Sequence, residues 1–307
     1  MRKWLVLSTL VVGLLLVFAS VALADNGPHQ GDFNKTTDAC AGCHRAHRGQ
    51  APKLLKETSQ TALCFSCHGA AGTGADTNVE DGVYLNRASG GLYGSVGAGL
   101  RGGGFVNAIM DPDMDGTIAS APVTSKHDVD ATGTMWGNGA ISSNPNPGKA
   151  NVNLRCGSCH NPHGTSGPQD AYRILRPKPL DSGAASDVLV PDEPNKDYTV
   201  SYKADGYRYV DYVTEVISQW CAQCHTRYLA SDEGDSGDAI FKYRHATADN
   251  DRKCLACHVA HGTSAVMDGT YSGSVEWPDG TAGGGTNDSR LLHVNNRGTC
   301  VQCHPSP

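Results

Sequence analysis

Every cysteine in this 307-residue chain belongs to one repeated five-residue pattern, and none of the 12 is left over. The six copies are Cys40-Ala-Gly-Cys43-His44, Cys64-Phe-Ser-Cys67-His68, Cys156-Gly-Ser-Cys159-His160, Cys221-Ala-Gln-Cys224-His225, Cys254-Leu-Ala-Cys257-His258 and Cys300-Val-Gln-Cys303-His304. On a helical turn, positions i, i+3 and i+4 share one face, so two thiols and one imidazole converge on a single group. Cys-x-x-Cys-His is the attachment pattern of c-type haem: the thiols reach the two vinyl groups while the histidine turns toward iron. A zinc ribbon would account for the 20 residues between Cys43 and Cys64, and a disulfide framework for an even count in an exported chain. Neither explains a histidine after every second cysteine.

Composition agrees with six covalently bound haems c. Glycine is abundant at 37, whereas Phe and Met number five each and hydrophobic residues reach only 39%. Such a chain has few large apolar side chains for a core of its own, and the macrocycles supply the missing surface. The expected fold is a haem-organised multihaem cytochrome c: mostly irregular coil, short α-helices at the CxxCH motifs, and little β. A formal charge of -6 without a Lys/Arg block argues against nucleic acid, which needs clustered positive charge.

Residues 1–24 read as a signal peptide. Arg2 and Lys3 precede an apolar run from Trp4 to Ala19, and Ala22-Leu23-Ala24 supplies the small-x-small cleavage pattern. The alternative is a retained membrane anchor. Cleavage would leave Asp25 first, with no cysteine nearby to carry lipid. The mature chain is then expected to be secreted, extracellular or periplasmic, without a membrane anchor.

Beyond the six proximal histidines stand His29, His47, His127, His163, His245, His261 and His293. Motifs one, three and five continue to a second histidine three residues on, at His47, His163 and His261, and each is preceded by one free histidine, at His29, His127 and His245. The chain therefore reads as three tandem dihaem repeats: 25–118 with a Gly-rich loop, 119–235, and 236–307. Three residues span at most ~10 Å, too short to pass a porphyrin edge and reach the opposite face of the same iron. His47, His163 and His261 must therefore serve other haems. If His29, His127 and His245 close the haems of His68, His225 and His304, stepping back one repeat gives His163 to the haem of His44 and His261 to that of His160. His47 and the haem of His258 are left over, and both gaps close if chains join head to tail. His293 has no place in this scheme and reads as an exposed histidine.

Other segments are less informative. Gly97-Ala-Gly99-Leu-Arg-Gly102 matches a dinucleotide fingerprint formally, but no strand-to-helix unit frames it. Asp111-Pro-Asp113-Met-Asp115-Gly116 copies the first half of a Ca2+ loop; Pro122 stands where the loop needs Glu, so it reads as a solvated acidic turn, with calcium the alternative. Residues 198–212 read as a hairpin, followed by a helix from about Thr214 that carries Trp220. Arg45, Arg155, Arg227 and Arg252 flank motifs, where haem propionates and plain exposure compete.

The motif order, the run Cys156 to Gly164, Tyr172-Arg-Ile-Leu175, Trp220-Cys-Ala-Gln-Cys-His225 and the ending after His304 resemble the doubled-CxxCH multihaem c-type cytochromes, and among them the filament-forming hexahaem extracellular nanowire cytochromes. The resemblance implies bis-His haems stacked in one line, with His47 ligating the fifth haem of the adjoining subunit. It also implies electron transfer to redox partner cytochromes or extracellular electron acceptors, by a homopolymer rather than an enzyme. The fourth motif departs from it, continuing Thr226-Arg-Tyr-Leu without a histidine, and His293 is extra. A soluble monomeric periplasmic shuttle shares the haem chemistry. A multihaem reductase of small oxyanions would need an open iron, and the histidines suffice to close all six.

Overall fold

The computed structural model describes His29 and residues 40–72, 74–87, 93–130, 132–134, 151–164, 172–191, 197–200, 216–225, 254–267 and 289–297. Residues 1–24, His245, the sixth motif (Cys300, Cys303, His304), Arg227, Arg252 and most of the 198–212 segment lie outside these. Among the described residues no helix is long and apolar enough to cross a membrane.

Among the described residues helix occurs in short pieces, most of them at or leading into the motifs. Helix α1 (Gln60–His68) starts where the Ser59 hydroxyl accepts the Ala62 N–H at 3.0 Å, and it carries the second motif on its last turns. Helix α2 (Cys156–Cys159) is the third motif, and α3 (Ile217–Ala222) leads into the fourth. The fifth forms a 3-10 turn, Cys254–Ala256. In motifs one, three, four and five the histidine N–H donates to the carbonyl of the first cysteine, at 2.8, 3.0, 3.1 and 3.0 Å for His44, His160, His225 and His258. The α3 helix begins at Ile217 rather than near Thr214, without a side-chain cap at Val216, because burial of Ile217 and Ser218 sets its start instead.

Among the described residues strands pair in twos, all antiparallel. They are β1 (Thr77–Asn78) with β2 (Val83–Tyr84), β3 (Asn107–Met110) with β4 (Ala119–Pro122), β5 (Ser125–Lys126) with β8 (Gly262–Thr263), and β6 (Thr132–Thr134) with β7 (Asn151–Asn153). The β3–β4 hairpin straddles residue 118, and β5–β8 joins the second repeat to the third. The repeats of the sequence therefore fold into one another. Among the described residues an apolar cluster forms from Ala108, Met110, Tyr172, Leu175, Val190, Ile217, Leu255, Val259 and Val294, with Cys159, Trp220 and Cys221 packed against it. It thus sits directly beside motifs three, four and five.

The Gly-rich run serves the backbone around His261. The His261 N–H donates to the Gly102 carbonyl at 2.8 Å, and a Cβ on Gly102 would stand 3.0 Å from the His261 ring nitrogen. Gly103, at φ +70°, bridges Gly262, and a Cβ there would collide with the Gly262 carbonyl oxygen. A side chain at Gly103 meets both left-handed strain and backbone overlap. Gly103→Ala is expected to cost about 3 kcal/mol, seen as a lowered midpoint in thermal unfolding of the matured protein; an unchanged midpoint would contradict the packing described.

Candidate haem-binding site

Four pairs of histidine rings come close together, two stacked, one tilted and one edge-on. Ring centres are 6.2 Å apart for His29 and His68, 6.1 Å for His44 and His163, 6.1 Å for His127 and His225, and 6.3 Å for His160 and His261. An iron bound on both sides by imidazole nitrogens at ~2 Å, each nitrogen ~1 Å from its ring centre, holds two such centres about 6 Å apart. The donor chemistry and the spacing therefore fit a haem iron between each pair, with the two cysteines of each motif as the thioether sites. These are the pairings that the register shift along the repeats sets opposite each other. Of the remaining members, His245 and His304 lie outside the described residues. His47 and His258 are exposed, and among the described residues no ring faces either.

The backbone aims the rings. Nδ1 donates to a carbonyl in His29 (Pro162, 2.8 Å), His44 (Lys53, 2.8 Å), His127 (Ala260, 2.7 Å), His160 (Arg173, 2.9 Å) and His258 (Arg290, 3.0 Å). A neutral imidazole that donates from Nδ1 offers its Nε2 lone pair to a metal. His68 meets the Thr77 hydroxyl instead, at 3.0 Å. Burial and the facing His29 push His68 down to about 4, and burial with His160 and His127 brings His261 to about 3. Both rings are thus neutral at ordinary pH, the form that ligates. Phe105 lies 4.8 Å from the His261 ring and 6.0 Å from Phe65, an aromatic cover that the motif pattern does not reveal.

Neighbouring motifs touch through their cysteines. The Cys64 thiol is raised by its hydrogen bond to Cys156, and Cys221 is raised by Cys254, which is itself lowered to about 7. Motif two therefore abuts motif three, and four abuts five, across the repeat boundaries. Beside the first motif, Arg45, Arg48, Gln50 and Lys56 line a basic cleft next to the exposed His47.

Two expectations are corrected. His293 is fully buried, not exposed: Leu292 and Val294 on either side are buried, its Nε2 donates to the Ala256 carbonyl at 2.7 Å, and its N–H to the Cys257 carbonyl at 3.2 Å. The ring braces the fifth motif from behind. The acidic turn is only partly solvated: Asp113 and Asp115 are exposed, but Asp111 is buried and takes the Gly116 N–H at 3.1 Å. Burial raises the Asp111 carboxyl. The three carboxylates bring oxygens within 4.8 Å of one another.

A family model for the doubled CXXCH motif matches residues 34–73. Those residues carry the doubled CXXCH motif. No curated protein matches the chain. Among solved structures, the outer membrane cytochrome S filament from Geobacter sulfurreducens matches with a TM-score of 0.41 and 16% identity, covering 91% of this chain and 100% of that one. Residues 34–73 are thus similar to the doubled CXXCH family, and among the described residues the backbone is mostly coil with short helices and two-stranded ladders.

The bracing role of His293 has a direct consequence. His293→Ala is expected to lower stability by about 1–3 kcal/mol, the cost of leaving a buried carbonyl unpaired, while the mass of the matured chain shows no lost haem. Loss of a haem together with the ring would make His293 a ligand instead.

Proposed function

We propose that the chain holds six haems c, each closed by two histidines, and passes single electrons along them as an extracellular or periplasmic carrier that polymerises head to tail. The observation that carries this reading is the set of four imidazole pairs spaced about 6 Å apart, most of them joining distant parts of the chain. When bound, haem supplies a one-electron couple; the protein's part is to bind, orient and enclose it. In this reading His29, His163, His127 and His261 are the distal ligands of the haems of His68, His44, His225 and His160, and His245 serves that of His304. Two histidines favour a lower potential than a His/Met pair. Met110 and Met267 are buried, Met110 within the apolar core.

Contacts between motifs two and three, and between four and five, support closely spaced haems suited to electron hopping. The assembly follows from what is left over. His47 lies exposed beside a basic cleft, while His258 is exposed and faces no second ring among the described residues. His47 of one chain completing the fifth haem of the next is a heterologous contact, and such contacts propagate into open filaments unless the rotation closes a ring. Arg45, Arg48 and Lys56 would offer cations to the propionates of that haem. The partners are other cytochromes or extracellular acceptors.

Intact mass of protein from a cytochrome-maturing host is expected to show six haems and no free thiol, and electron paramagnetic resonance of the assembled, oxidised protein to show low-spin iron throughout. Fewer haems or a substantial high-spin signal would overturn the scheme. His47→Ala is expected to abolish filaments in electron micrographs and leave one haem per chain with an exchangeable sixth ligand. Filaments that persist would refute the joint, and a wild type that never polymerises would make the protein a shuttle.

A further inference from the structure

The proximal histidines of motifs one, three and five are each clasped by a four-residue segment built to one pattern: Lys53-Leu-Leu-Lys56, Arg173-Ile-Leu-Arg176 and Arg290-Leu-Leu-His293. The first residue of each is left-handed, at φ 64°, 49° and 54°, and so is the second, at 60°, 52° and 62°. Side chains rarely adopt that conformation, and six non-glycine residues doing so in equivalent places shows that the surroundings impose it. The turn aims two successive carbonyls at one motif. The first accepts from Nδ1 of His44, His160 and His258 at 2.8, 2.9 and 3.0 Å. The second accepts the backbone N–H just after the histidine, in Arg45, Asn161 and Val259, at 2.7, 2.8 and 2.8 Å. The third residue bridges the histidine: Leu55 with His44, Leu175 with His160, Leu292 with His258. The fourth donates its N–H to the second cysteine's carbonyl, at 3.0, 2.8 and 3.2 Å from Lys56, Arg176 and His293.

The sequence intervals from histidine to the accepting carbonyl are 9, 13 and 32 residues, so local chain geometry does not dictate the repetition. His68 is braced otherwise, by the hydroxyl of Thr77.

We propose that this segment is a latch, and that Lys53, Arg173 and Arg290 are positioning residues whose carbonyls hold the proton on Nδ1 and fix the ring plane of His44, His160 and His258. The inference rests on the haem reading above. A carbonyl that draws on the Nδ1 proton makes Nε2 more electron-rich, which favours ferric over ferrous iron and lowers the potential. The latch thereby sets three of the haems apart from the one on His68. His293 also finds its place: it occupies the position of Lys56 and Arg176, its backbone closing the latch and its ring reaching Ala256.

Lys53 permits a clean test, because its side chain is exposed. In the full, matured protein, Lys53→Val puts a β-branched residue where left-handed backbone is needed, and Lys53→Gly keeps the backbone while removing the side chain. Spectroelectrochemical titration should show one haem shifted to higher potential in Lys53→Val, the others unmoved, and the wild-type value restored in Lys53→Gly. Equal shifts in both variants, or none in Lys53→Val, would overturn the latch. Should Lys53→Val mature with fewer than six haems, hydrogen exchange of the wild-type imidazoles decides: slow exchange of Nδ1–H on His44, His160 and His258 upholds the proposal, and fast exchange defeats it. A wild type that itself lacks six low-spin haems refutes the haem reading instead, so the two failures are distinguishable.

Discussion

A histidine three residues beyond a proximal histidine sits too close along the chain to reach the opposite face of the same iron, and this limit of reach governs how the molecule holds together. Any second ring facing His44 or His160 must come from elsewhere. The rings that do so, His163 and His261, each belong to the following repeat. The same forward step appears in the backbone, where β5 pairs with β8 and the second motif touches the third. An array of repeats that could have formed separate beads is interlocked instead. Among the described residues the apolar cluster holds nine buried side chains, and pairing between distant segments helps to keep the chain's parts in register.

Much of this is legible in residue types and spacing. Six identical motifs prescribe one helical turn each, and the described motifs have it, down to the bond from histidine N–H to cysteine carbonyl. The placement of histidines before and after alternate motifs suffices to derive four ring pairs that the structure brings close together. The scarcity of large apolar residues foretells the small core and the dominance of coil.

What could not be read depends on backbone rather than side chains. The latch carries a faint signature, a basic residue, two aliphatic residues and a basic or histidine residue, but its distance from the motif varies from 9 to 32 residues, so no fixed spacing announces it. His293 is misread for the same reason: polar residues between leucine and valine look exposed until a carbonyl inside a neighbouring motif is found for them. The run from Gly97 to Gly102 matches a nucleotide fingerprint only formally, whereas Gly102 and Gly103 let the ring of His261 and the strand at Gly262 approach closely. Burial of Asp111 is likewise set by the rest of the fold and not by the DxDxDG run.

The crossing of ring pairs also fixes an order of events. Of the four pairs, His29 and His68 lie nearest along the chain, so theirs can close first. His44 must wait for His163, and His160 for His261, each roughly a third of the chain later. Contacts of such high sequence separation slow folding, because loop entropy is lost before they form. The first motif in the chain is therefore paired after the second, and until His163 arrives the His44 ring stands open to whatever ligand the surroundings offer.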